Sequence, residues 1–76
     1  PPVHITIDKE RTIKINKENY DLNSFMDNFS LYAKDLDLKA TVLISADQTL
    51  DYGVVMSVLA AVKQAGFSDV SLATNG

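Results

Sequence analysis

The chain has 76 residues, of which 46% are hydrophobic and 22% charged, with a formal net charge of −3 and no cysteine. That length holds one domain. The acidic balance, with a pI near 4.8, argues against nucleic acid as the main partner, and the absence of thiols excludes a disulfide framework or a thiolate metal site.

"VHITID" and "TIKIN" each alternate apolar and polar residues with period two. Val3, Ile5 and Ile7 share one face with Ile13 and Ile15, while His4, Thr6, Thr12 and Lys14 share the other. This predicts an antiparallel hairpin with one buried face. The connecting "DKER" lacks Gly and Asn, which leaves its turn type open. Lys9, Arg11, Lys14 and Lys17 fall in this region, but Asp8, Glu10 and Glu18 interleave with them, the pattern of a solvated hairpin. "NKENY" follows, with a short bridge expected around Tyr20.

Leu22, Phe25, Met26, Phe29, Ala33 and Leu36 then recur at helical spacing. The spacing predicts a helix from Leu22 to Asp35, capped by Asp21, whose carboxylate can accept an orphan backbone N–H and matches the helix dipole. "ATVLISA" reads as an interior strand, with Val42, Ile44 and Ala46 toward the helices and Leu43 and Ser45 on the other face. "DQTLD" is a loop ending in a second cap, Asp51. Tyr52, Val55, Val58, Leu59 and Val62 form the apolar stripe of the next helix. Gly66 stands where a helix needs a left-handed stop, and Phe67 supplies the hydrophobic contact that accompanies one. "DVSLAT" is the last strand, with Val70 and Leu72 inward.

The expected fold class is α+β, in the order ββ(β)αβαβ, with a mixed four- to five-stranded sheet and two helices on one face. The strand–helix–strand segment predicts a parallel pair. The longest apolar run, "GVVMSVLAAV", is far short of the ~20 residues that span a membrane. The opening "PPV" looks like a cut just after a linker, and no signal peptide is read.

Side-chain chemistry offers little. His4 is the only histidine and sits on an alternating strand, no serine lies in a GxSxG elbow, and no glycine-rich phosphate loop is present. Asp47 and Asp51 read as a turn aspartate and a helix cap, because Leu50 and Tyr52 occupy places where a calcium loop needs ligands or glycine. Asn28-Phe29-Ser30 matches a glycosylation sequon but falls mid-helix. No catalytic, cofactor-binding or metal-binding residue is expected. A binding or assembly module remains, and its working surfaces are expected at sheet edges, where unpaired N–H and C=O groups can add a strand.

The stretch "ISADQTLDYGVVMSVLAAVKQAGFSDVSLAT" resembles the C-terminal periplasmic domain of the ExbD/TolR family. The similar positions are Ala46, Asp47, Tyr52, Ala65, Gly66, Phe67, Leu72 and Thr74, and the "SADQTLDY" loop is more similar to the ExbD branch than to the TolR branch. The resemblance implies one periplasmic domain over residues 1–76 of a single-pass bacterial inner-membrane protein, the transmembrane helix and its coupling aspartate being absent from this chain. It implies an accessory subunit of a motor driven by the proton motive force. In the ExbD branch such a subunit works with an ExbB-like channel and a TonB-like protein to energise outer-membrane uptake of iron complexes and vitamins. In the TolR branch it works with TolQ-like and TolA-like partners in envelope maintenance, with cell-wall contact. It also implies a homodimer. The strand Val70, Ser71, Leu72, Ala73 and Thr74 is the expected edge for dimer or partner pairing. The other class weighed is a small ferredoxin-like ligand-binding domain.

Overall fold

The computed structural model describes residues 2–75, without the side chains of Thr74 and Asn75. Five strands and two helices follow in the order β1 (Val3–Ile7), β2 (Thr12–Ile15), β3 (Glu18–Asp21), α1 (Leu22–Tyr32), β4 (Val42–Asp47), α2 (Tyr52–Gln64) and β5 (Val70–Asn75). The strands form one mixed sheet in the spatial order β3-β2-β1-β4-β5. β1 is antiparallel to β2 and β2 to β3, whereas β4 runs parallel to both β1 and β5. The arrangement is α+β.

Local chemistry explains the turns. In the β1–β2 turn the Asp8 carboxylate accepts from the backbone N–H groups of Glu10 and Thr12, each at 2.9 Å. That bracing lets Arg11 hold a φ of 65°, a left-handed conformation that non-glycine residues rarely adopt. Asn16, at φ 55°, turns β2 into β3, as asparagine tolerates that region better than most residues. The segment after Lys17 therefore makes a four-residue strand along β2, in place of the short bridge expected around Tyr20.

The core is one layer between sheet and helices. Val3, Ile5, Ile7, Ile13, Ile15, Val42, Ile44 and Ala46 meet Phe25, Phe29 and Ala33 from the α1 side and Val55, Val58 and Val62 from α2. Both helices thus lie on one face, and alternation along each central strand sends the polar residues to the other. Phe29 links the two halves, its ring 4.7 Å from Phe25 and 6.2 Å from Phe67 between centroids. Asp21 caps α1 by accepting the Asn23 N–H at 3.0 Å. The helix ends one turn before Asp35, because Ala33–Asp35 tighten into a 3-10 turn. Gly66 terminates α2 at a φ of 116°.

Four further expectations need correction. Tyr52 does not join the α2 stripe; it is 74% exposed, since the first turn of α2 stands clear of the core and burial begins at Val55. Met26 is exposed because Phe25 and Phe29, four apart, take the inward face and leave their neighbour at its margin. Asp51 holds the cap position of α2, but its side chain makes no capping hydrogen bond; its carbonyl accepts from Val54 at 3.1 Å instead. Leu72 pairs in register with the inward Ile44, yet it stays 39% exposed, because β5 lies at the edge of the sheet.

Candidate functional site

β5 stands at one end of the sheet, pinned only along its inner side. Its start is fixed by Asp69. The Asp69 carbonyl accepts from Val42 N–H at 2.8 Å, and its carboxylate accepts from the Thr41 hydroxyl at 2.7 Å. From there the parallel register runs Val42 with Val70, Leu43 with Ser71, Ile44 with Leu72, Ser45 with Ala73 and Ala46 with Thr74. Val70 is half-buried, whereas Ser71, Leu72 and Ala73 are exposed. The Thr74 side chain lies outside the described residues, though its backbone belongs to the strand.

The two sheet edges differ in kind. β3 is four residues long and carries Glu18 and Asp21, charges that deter another strand from adding. β5 is six residues long, "VSLATN", with no charge, no proline and no bulge in its register. Exposed apolar surface flanks it on both faces. Leu72 lies on the helix side, and Leu43, 40% exposed, lies on the open side next to Ser71. The open side forms a shallow concavity lined by His4, Leu43, Ser45, Ser71 and Ala73.

That concavity contains a serine–histidine contact, His4 Nε2 to Ser45 Oγ at 3.1 Å. The sequence placed both on one face without pairing them. The pair lies on a flat strand surface, His4 is exposed, and the side chains around it include no acid to orient the ring. A serine nucleophile needs an oriented base and a site that excludes water. The contact is therefore a polar cross-strand bridge. Among the described residues, no group of three or more His, Asp or Glu side chains is placed to hold a metal ion.

The motif positions do not converge on one site. Ala46, buried, and Asp47 end β4, and Tyr52 begins α2 after the loop. Ala65 and Gly66 lie at the other end of that helix, 13 residues away along α2, which is about 20 Å. These positions frame the two turns that return the chain from β4 to β5. Asp47 shapes the first, accepting from the Thr49 N–H at 2.9 Å and hydroxyl at 2.6 Å. Gly66 shapes the second. The motif thus builds the αβ unit that delivers β5 to the edge. The sequence placed Leu43 on this open face with Ser45, and the structure sets it exposed beside the edge strand, next to Ser71.

The class that the fold defines is a small α+β domain, a five-stranded mixed sheet with both helices on one face and an uncharged strand at one edge. Comparison with known proteins gives the class a family. The sequence matches the family of biopolymer transport proteins ExbD/TolR over residues 1–76, and the chain belongs to that family. It is 41% identical over 73 residues to the biopolymer transport protein ExbD-like 1 of Helicobacter pylori strain 26695. It is equally similar to the protein of the same name in strain J99, again 41% over 73 residues. The match takes in 96% of this chain and 55% of either relative, so the chain spans about half the length of the curated relatives it matches. Among the described residues, no helix is long and apolar enough to cross a membrane.

Proposed function

We propose that this chain is the periplasmic domain of an ExbD-type accessory subunit of an inner-membrane motor driven by the proton motive force. In this reading residues 1–76 form one domain, and the membrane helix with its coupling aspartate belongs to another part of the protein. The whole subunit works beside an ExbB-like channel and couples to a TonB-like protein, energising outer-membrane uptake of iron complexes and vitamins. The "SADQTLDY" loop and the ExbD-like relatives support the ExbD branch over the TolR branch.

Within that subunit, the domain acts by strand addition along Val70–Thr74, first with its own copy in a homodimer and with an extended segment of the TonB-like protein. The observation that carries this is the contrast between the edges, β3 short and charged, β5 longer and bare. Backbone N–H and C=O groups supply the affinity, and Leu43 and Leu72 offer apolar contact on either side. A small domain gains from such pairing, since a core of this size rarely supplies more than about 3–5 kcal/mol alone.

The test combines sedimentation of the chain with titration of labelled protein by a peptide from a TonB-like linker. Peptide-induced NMR shifts are expected to centre on Val70–Thr74. Ala73→Lys and Ser71→Lys place charges on exposed positions of the strand and should weaken both self-association and peptide binding. Leu72→Pro or Ala73→Pro removes an N–H from the strand and should do the same. If dimer and peptide complex both survived in folded proline and lysine variants, the strand-addition reading would be wrong.

A further inference from the structure

Tyr20 of β3 and Tyr32, the last residue of α1, bring their rings together with centroids 4.3 Å apart and planes tilted by 34°. Both are half-buried. With Ile15 and Leu36 they make the apolar wall of a concave pocket whose rim is Asn16, Glu18 and Asp35. Burial, then the charge of Glu18, the neighbouring Tyr32 and the charge of Asp35, push the Tyr20 phenol above its ordinary value. Both carboxylates stand on the rim of the pocket that the two rings line.

The chemistry of this pocket is selective. Aromatic faces attract a cation, two carboxylates add charge and hydrogen-bond acceptors, and Ile15 and Leu36 can line an aliphatic stem. A guanidinium or ammonium on a methylene chain meets all three requirements, and a guanidinium also stacks on the rings. The pocket adjoins β3, the second open edge. Its acids oppose a second copy of this chain, whose net charge is −3, but they favour a basic strand.

We propose that the Tyr20–Tyr32 pocket receives an arginine or lysine side chain from a basic segment of a partner protein. This site lies at the sheet edge opposite β5 and stands independently of strand addition there.

The test is NMR titration of the 15N-labelled chain with N-acetyl-arginine methylamide and N-acetyl-lysine methylamide, with the neutral isostere N-acetyl-citrulline methylamide as control. Arginine or lysine is expected to give saturable shifts at Tyr20, Tyr32, Glu18 and Asp35, and citrulline is not. The exposed acids allow a Glu18→Gln/Asp35→Asn double variant without disturbing the core, and it should weaken binding at least about fivefold, as expected for losing two charge-assisted contacts. Tyr32→Phe keeps a ring face and should retain binding, whereas Tyr32→Leu should lose most of it. Equal shifts with citrulline, or shifts that persist in the double variant, would overturn the proposal. So would tetramethylammonium binding where arginine and lysine do not, which would mark a site for free cations. Shifts at these residues that grow with protein concentration in the absence of any probe would replace the basic partner with a second copy.

Discussion

The Asp47 carboxylate accepts two hydrogen bonds from one residue, the Thr49 hydroxyl at 2.6 Å and the Thr49 backbone N–H at 2.9 Å. Both favour the ionised acid, the hydroxyl more than the N–H, and they hold Asp47 below the usual carboxylate range. A group whose pKa is lowered by folding stabilises the fold above its unfolded pKa, and that contribution is lost as pH falls through the folded value. Thr49→Val removes the hydroxyl and leaves the N–H. It should raise the Asp47 pKa only part of the way to normal and narrow the acid window in which stability changes. Carbon-detected NMR titration of the Asp47 carboxyl measures this, and an unmoved pKa would show that the hydroxyl is not the main cause.

The two internal glycines should respond in opposite directions to the same substitution. Gly66 has a φ of 116°, and a Cβ there would come within 3.2 Å of Leu38 Cδ1. Gly66→Ala is expected to destabilise by about 1–3 kcal/mol, from backbone strain and the displaced leucine. Gly53 lies in the first turn of α2 with nothing within 4 Å of its added Cβ. Gly53→Ala should stabilise by up to about 1 kcal/mol through helix propensity. Urea denaturation of the pair checks both signs.

The two helix caps should also separate. Asp21→Ala removes the bond to Asn23 N–H and should cost about 0.5–2 kcal/mol. Asp51 makes no side-chain capping bond, so Asp51→Ala should cost clearly less. Equal losses in thermal unfolding would mean that the carboxylates act through the helix dipole alone.

Truncating two aromatic residues tests where the core ends. Phe25 is fully buried against Phe29, and Phe25→Ala should cost about 3–5 kcal/mol, close to the whole stability of so small a domain. Circular dichroism should find it largely unfolded. Tyr52, 74% exposed, should change stability by less than about 0.5 kcal/mol when replaced by alanine.

Much of this fold can be read directly along the chain, because its determinants are local. Alternation in "VHITI" and "TIKI" placed Ile5, Ile7 and Ile13 inside, and the Asp21 cap and the Gly66 stop bound their helices where those residue types require. The run "NKENY" was harder. Its polar residues hide a strand because β3 lies at an edge and gains its order from pairing with β2 rather than from burial. Tyr52 misled for a related reason: helical phase says which way a residue points, but not whether anything lies beneath it.

Periodicity, caps and turn residues are properties of neighbours in the chain, and they determined which elements form and which face each one buries. Family membership was legible for the same reason, in the βα and αβ turns around α2. Only the tertiary structure decided the strand order β3-β2-β1-β4-β5, and with it the two open edges, one bare and one acidic. It alone brought Tyr20 to Tyr32 and His4 to Ser45. Those relations depend on how distant segments pack. Packing minimises exposed apolar surface over the whole molecule at once, which no local pattern encodes.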